Sequence, residues 1–264
     1  VTVQQQVAAR EAQLAQDILA TYFSPTALQP SPELLPDSLE SAERVQDRIV
    51  AGIGELGAWK LGASTPAVRQ KNGFDRIFFG ALPQAVVLDA RERSVLEGAR
   101  FTGVESEFGF RFGRDLPPRS EPYSAQEVLA AIAEVLPTLE VPGSRFTAIG
   151  VHGPFGLVAD NGASGFLIHG SGQAQFDPAE LLDTEVVLEI DGQIIARGTG
   201  SEIIDGPFGS LVQFVNLATG RGYTLRRNQL VATGSCTAYN LVPRGSQAKA
   251  TFGRFGSVAV SFAN

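Results

Sequence analysis

Apolar residues recur at helical spacing at the start of the chain and at strand spacing through most of the remainder. From about Gln4 to Phe23, the residues Val7, Leu14, Ile18 and Tyr22 share one side of a helix, which Pro25 stops. A proline-rich link, SPTALQPSPELLP, comes next. Asp37 and Glu40 then offer a capping box for a second helix with Ala42, Val45 and Ile49 on one face. From Trp59 onward short apolar runs alternate with Gly, Pro, Asn and Asp, as in WKLGAST, AVVLDA, TAIGV, GFLIHG and AKATFGRFGSVAVSF. The run VVLEIDGQIIAR predicts a hairpin turning at Asp191-Gly192. Two helices interrupt the strands. One opens on a Ser124/Glu127 capping box, carries Val128, Ile132 and Val135, and ends at Pro137; the other runs from about Gly209 to Ala218. TLEVPGSR reads as a strand. The pattern predicts an α+β fold: a helical N-terminal cap over residues 1–58 and a β-rich core over residues 59–264, integrated as one domain.

One strand breaks the usual logic. In GVESEFGFRFGRDLP, alternation puts Glu105 and Glu107 on one face and Phe108, Phe110 and Phe112 on the other. Three Phe side chains call for burial, while two carboxylates on the reverse face repel unless water or a cation relieves them. A wet outer face is one resolution. Arg111, on the same face as the glutamates, is a second, as their ion-pair partner. A hard metal ion between oxygen ligands is the third.

Composition narrows the chemistry. With 264 residues, 44% of them hydrophobic, the chain can bury a large core. A net charge of −7 argues against nucleic acid or an anionic membrane surface as the main partner. The lone Cys236 permits no internal disulfide and no cysteine-based zinc cluster, and two histidines, His152 and His169, make a His-rich site a poor fit. Oxygen ligands remain, and these favour Mg²⁺, Mn²⁺ or Ca²⁺. The N-terminus has no basic n-region ahead of an apolar core, and no apolar run is long enough to span a bilayer; a soluble cytoplasmic protein is expected. Glu140 is a third carboxylate of interest. It sits between Leu139 and Val141 on a short strand, where a lone glutamate needs a partner. Together Glu105, Glu107 and Glu140 would give a dication three oxygen ligands and leave positions for water and a bidentate substrate.

Across nearly its whole length the chain resembles the 2-keto-4-pentenoate hydratase and 4-oxalocrotonate decarboxylase group of the fumarylacetoacetate hydrolase superfamily. The resemblance rests on WKLGAST, VESEFGF, LPTLEVPGSR, LVADNGASG, GSLVQFVNLATGRG, VATGSCTA and ATFGRFGSVAVSF, in that order. It implies a mixed β-roll or distorted β-barrel with a helical N-terminal region, and Mg²⁺ or Mn²⁺ held by Glu105, Glu107 and Glu140. It implies a lyase acting on an unsaturated 2-oxo acid, a 2-hydroxydienoate, in aromatic catabolism. Water addition is the leading reaction, and decarboxylation of a 2-oxo diacid the alternative. Lys60 and Asp160 are the implied catalytic residues. Asn161, Ser164, Arg145 and the TGSCT segment, through the hydroxyls of Thr233, Ser235 and Thr237 and its backbone donors, are the implied substrate contacts. A homo-oligomer is implied, with a pathway enzyme as a further partner. A lysine beside a dication in an apolar pocket would have its charged form disfavoured. A decarboxylase would need another cation for the second carboxylate, for which Arg69, Lys71 and Arg76 are candidates. His152 reads as loop or pocket wall, and His169 and Cys236 as structural.

Three positions depart from the family pattern. EVPGSR has Gly143 where an acidic residue is common; RIFFGAL has Phe78 and Phe79 near a usual polar position; and LRRNQL replaces a common L-x-x-G-D. The first removes a carboxylate that would support the metal ligands. The second makes the pocket more apolar, which fits a larger substrate, a different reaction on the same electron sink, or a reduced homologue serving as a partner subunit.

Overall fold

The computed structural model describes residues 2–92 and 94–264. Its elements run α1 (Val3–Ala20), α2 (Leu39–Gly52), β1 (Leu56–Gly62), α3 (Pro66–Asn72), β2 (Phe78–Pro83), β3 (Val87–Asp89), β4 (Val95–Leu96), β5 (Gly103–Phe112), α4 (Ala125–Leu129) and β6 (Ile132–Val141). They continue with α5 (Gly153–Ala159), β7 (Phe166–His169), α6 (Glu180–Asp183), β8 (Glu185–Ile190), β9 (Gln193–Thr199), α7 (Gly206–Gly220), β10 (Leu230–Ser235), β11 (Asn240–Leu241), β12 (Gln247–Phe252) and β13 (Ser257–Phe262).

Among the described residues the strands form two mixed sheets. The larger has the order β2-β1-β10-β5-β6-β7-β3, with β11 added to β5; the smaller has the order β4-β13-β12-β8-β9. The larger sheet curls into a half-barrel, and the expected α+β architecture holds. The Phe face of β5 joins the sheets. Phe108 packs edge-on against Phe252 and Phe255, and Phe108, Phe110 and Phe112 are fully buried. A second aromatic group, Trp59, Phe79, Phe214 and Tyr223, seats α7 on β1 and β2.

The N-terminal helices are fastened to this core by buried polar contacts as well as by Val45 and Ile49. Gln46 Nε2 donates to the Phe79 carbonyl at 2.5 Å, and Arg221 donates to Gln46 Oε1 at 2.9 Å and pairs with Asp47. Glu11 of α1, only 4% exposed, accepts from Ser41 and Arg44 of α2.

The hairpin is present, with Asp191 and Gly192 both at positive φ. Two local expectations are corrected. The second helix is capped by Ser38, whose hydroxyl accepts from the Ser41 N–H, rather than by Asp37 with Glu40. The Ser124/Glu127 capping box forms, but it opens a helix of only five residues; Ile132 and Val135 belong to β6, which runs through Pro137. Pairing with β5 overrides the local helical spacing.

Candidate active site and metal centre

Strand register builds the acidic cluster. Glu105 of β5 pairs directly with Glu140 of β6, and Glu107 lies opposite Thr138 on one side and Ser235 of β10 on the other. Like charges directly opposite each other on a sheet are destabilising, so this register demands a compensating cation. One ligand oxygen from each of Glu105, Glu107 and Glu140 lies within 4.8 Å of the others. Glu107 and Glu140 are buried and Glu105 is half-buried, so the carboxylate face of β5 is not a wet outer surface.

A bulge on β10 aims a donor at this cluster. The β5–β10 register shifts between Ala232 and Ser235, and Gly234 adopts φ +116°. There the Gly234 N–H donates to Glu107 Oε2 at 2.7 Å. Only glycine suits the position: a Cβ would also come within 2.0 Å of Ser64 Oγ.

Lys60 supplies the cation. Its neighbours in register are Ala232 of β10 and Gly80 of β2, so three strand spacings separate β1 from β6. In a flat sheet that is about 14 Å. The curl of the sheet and the small residues along the way bring Nζ to 2.9 Å from Glu140 Oε1. At that distance the ammonium is the ion-pair partner of Glu140. Burial lowers the Lys60 pKa, but Glu140, Glu105 and Glu107 outweigh it and raise it overall. The three carboxylates therefore favour the charged lysine.

Burial raises all three carboxylates, Glu107 well above the ordinary range with repulsion from Glu140 and Glu105 added, and Glu140 to about 7 despite Lys60. Three carboxylates against one ammonium leave two negative charges uncompensated when all are ionised. Three clustered carboxylates with one ammonium among them, an all-oxygen donor set, fit a hard divalent cation.

The cluster opens into a cavity of about 890 Å³, walled by Lys60, Glu105, Glu107, Ser235 and otherwise mostly apolar residues. Arg111 is not a rival partner for the triad. It reaches its cross-strand neighbour Glu134 at 2.6 Å.

The other expected site residues divide. Ser235 lines the cavity, its hydroxyl donating to the Ala238 carbonyl at 3.2 Å. Thr233 Oγ1 instead donates to the Phe108 carbonyl, and Thr237 has a buried hydroxyl without a partner. Asp160, Asn161, Ser164 and Arg145 lie behind the cavity wall in one buried network. Arg145 Nε meets Asp160 Oδ1 at 2.6 Å, and Ser144 Oγ donates to the same carboxylate at 2.5 Å. Asn161 donates to the Tyr22 hydroxyl and the Ala81 carbonyl and accepts from the Ala81 N–H, while Ser164 Oγ donates to the Asn161 carbonyl. This network clamps a turn in which Asn161 and Ala163 hold positive φ, a costly conformation for non-glycine residues, and presents Gly162 and Ala163 to the cavity. His152 packs edge-on against Phe146, and His169 Nδ1 contacts the Gly170 carbonyl. Cys236 lines the cavity, but burial, with Glu107 added, pushes its thiol pKa up and keeps it neutral. Gly143 faces a separate small cavity of about 140 Å³. Gly234 supplies a backbone donor from the expected TGSCT segment, directed to Glu107, whereas sequence reasoning missed Tyr239. A glycine inside a strand pattern was a usable sign of the bulge; nothing in the sequence marks Tyr239, which reaches the cavity through the fold.

Fold and site together define the class: a fumarylacetoacetate hydrolase fold carrying a three-carboxylate pocket for a divalent cation. No family model matches the chain. Within that class the resemblance to the 2-keto-4-pentenoate hydratase and 4-oxalocrotonate decarboxylase group is borne out. The chain is 28% identical over 254 residues to a 2-keto-4-pentenoate hydratase of Paraburkholderia xenovorans (strain LB400), covering 94% of this chain and 93% of that protein. It is 30% identical over 136 residues to a 4-oxalocrotonate decarboxylase of Pseudomonas putida, covering 52% of this chain and 51% of that one. A crystal structure of 4-oxalocrotonate decarboxylase from Pseudomonas putida G7, complexed with magnesium and adipate, matches with a TM-score of 0.81 and 23% identity over 99% of both chains.

Proposed function

We propose that the protein is a divalent-metal-dependent lyase that adds water to a 2-hydroxydienoate, an unsaturated 2-oxo acid of aromatic catabolism. The observation that carries this is Glu140: fully buried, paired with the single ammonium of Lys60, and offering an oxygen within 4.8 Å of those of Glu105 and Glu107. When bound, Mg²⁺ or Mn²⁺ supplies Lewis acidity at the 2-oxo carboxylate end. The chain's own groups do the rest. Gly234 N–H fixes Glu107, and the Ser235 hydroxyl faces the same space. Protonated Lys60 orients the acid head and can deliver a proton to the carbon chain. Asp160 acts by holding Arg145 and the Asn161–Ala163 turn, a positioning role.

Similarity to a decarboxylase supports the alternative of CO₂ release, which uses the same electron sink. A diacid would need a second cation. Neither Arg69, bonded to the carbonyls of Ala63 and Asp75, nor Arg76, paired with Glu43, lines the cavity. Lys71, exposed, is the remaining lining cation among the described residues. The predominantly apolar walls favour water addition to a monoacid. No described helix is long and apolar enough to cross a membrane. We place the enzyme in the cytoplasm as a homo-oligomer, which light scattering on the purified chain tests.

The functional test is calorimetric titration of Mg²⁺ and Mn²⁺, with and without oxalate, on the wild type and Glu107→Gln. Metal binding that tightens with oxalate and disappears in the variant is expected. A folded wild type that binds neither overturns the lyase reading and leaves a partner subunit.

A further inference from the structure

The cavity is far larger than a five-carbon 2-oxo acid requires. Its volume of about 890 Å³ lies in the range of pockets that enclose drug-sized ligands. Lys60, Glu105 and Glu107 form one charged group in its lining, Lys71 and Glu202 are its other charged lining residues, and Val68, Phe78, Phe101, Ile149 and Leu157 contribute apolar wall.

Phe78 is the key element of that wall. It pairs with Gly62, while Lys60 pairs with Gly80, so Phe78 and Lys60 share a face of the sheet, displaced by two residues along the strands. That displacement is about 7 Å. The ring is held rather than loose. It lies directly over Gly62, where a Cβ would come within 2.1 Å of Phe78 Cζ, and Phe74 packs behind it at 5.0 Å. The neighbouring Phe79 points the other way, into the Trp59 and Phe214 core. Of the two Phe residues at this family departure, Phe78 shapes the cavity and Phe79 supports the fold. Phe78 offers a second carboxylate no donor, and Lys71, the other lining cation, is exposed to solvent.

We infer that the substrate is a 2-oxo acid, or its dienol, whose far end carries an apolar group about the size of a phenyl ring. Phe78, Ile149 and Leu157 are the residues that select it. This rests on the lyase reading, in which the acid head lies at the Lys60 and glutamate end.

The test is calorimetry on the full-length, Mg²⁺-loaded protein with four probes: oxalate, 2-oxopentanoate, 2-oxo-4-phenylbutanoate and 2-oxoadipate. The phenyl acid is expected to bind at least about tenfold more tightly than 2-oxopentanoate, as burial of a ring predicts, and 2-oxoadipate no more tightly. Phe78→Ala should erase the preference. Leu157→Trp, which fills the wall instead of emptying it, should block the phenyl acid while oxalate still binds; circular dichroism checks the fold of both variants. Equal binding of the phenyl acid and 2-oxopentanoate, or a preference for 2-oxoadipate, with oxalate binding intact, overturns the apolar-tail inference alone. Failure of the folded wild type to bind Mg²⁺ and oxalate overturns the lyase reading and this inference with it.

Discussion

Replacing Lys60 by methionine tests the electrostatic logic of the site most directly. The side chain keeps an unbranched apolar stem and loses its charge. In the wild type, Nζ stands 2.9 Å from Glu140 Oε1, with Lys60 5% exposed and Glu140 fully buried. Removing one partner of a buried ion pair costs about 3–5 kcal/mol, because the other charge is left uncompensated. For a chain of this size that corresponds to a fall in Tm of about 6–20 °C. The assay is thermal unfolding at pH 8 in EDTA and again with excess Mn²⁺. The variant should melt lower by that amount in EDTA, and Mn²⁺ should raise its Tm by more than it raises the wild type's, since the pocket has lost its internal cation. At pH 5 the deficit should shrink, because the glutamates, with raised pKa values, then carry protons. A Tm in EDTA within about 2 °C of the wild type at pH 8 would refute the argument that Lys60 neutralises the cluster.

Three further outcomes are expected from the same geometry. Metal-free protein should lose stability as pH rises from about 4.5 to 7. Glu140 titrates at about 7 when folded against an ordinary 4.5, so the folded state holds more protons across that window. Melts in EDTA from pH 5 to 8 check the sign, and saturating Mg²⁺ should oppose the loss by favouring the ionised cluster. Arg145→Met should cost about 3–5 kcal/mol by stranding buried Asp160, yet leave Mg²⁺ affinity within about threefold; a selective loss of metal binding without loss of stability would place Arg145 in the site itself. Gly234→Ala should lower stability by about 1–3 kcal/mol and weaken Mn²⁺ binding about 10–100-fold, because the strained bulge carries the donor that orients Glu107. Chemical denaturation and calorimetry separate the two effects.

Legibility in the sequence tracked the range of the interaction. The Ser124/Glu127 cap and the Asp191-Gly192 turn depend on neighbours a few residues apart and were readable. The stretch from Ile132 to Val135 was not, because its state depends on strand β5, whose pairing overrides a spacing compatible with either structure. The acidic cluster was legible as an anomaly, two glutamates behind a row of Phe and a lone Glu140 between Leu139 and Val141, but only strand register sets Glu140 opposite Glu105. Asp160, Asn161, Ser164 and Arg145 show the reverse: their motifs stand beside the cavity, and only packing reveals that their polar atoms are spent on one another.

Alternation along single strands was therefore enough to set which side chains of β5 face the core and which face the carboxylate pocket. It could not say how far apart Lys60 and Glu140 would be. That distance is decided by the register of four strands and the curl of the sheet between them, a sum of long-range pairings that no local pattern encodes. The same curl converts two separate signals, a lysine in WKLG and a glutamate in TLEV, into one charged contact. It also turns an isolated strand glycine into the donor that holds Glu107.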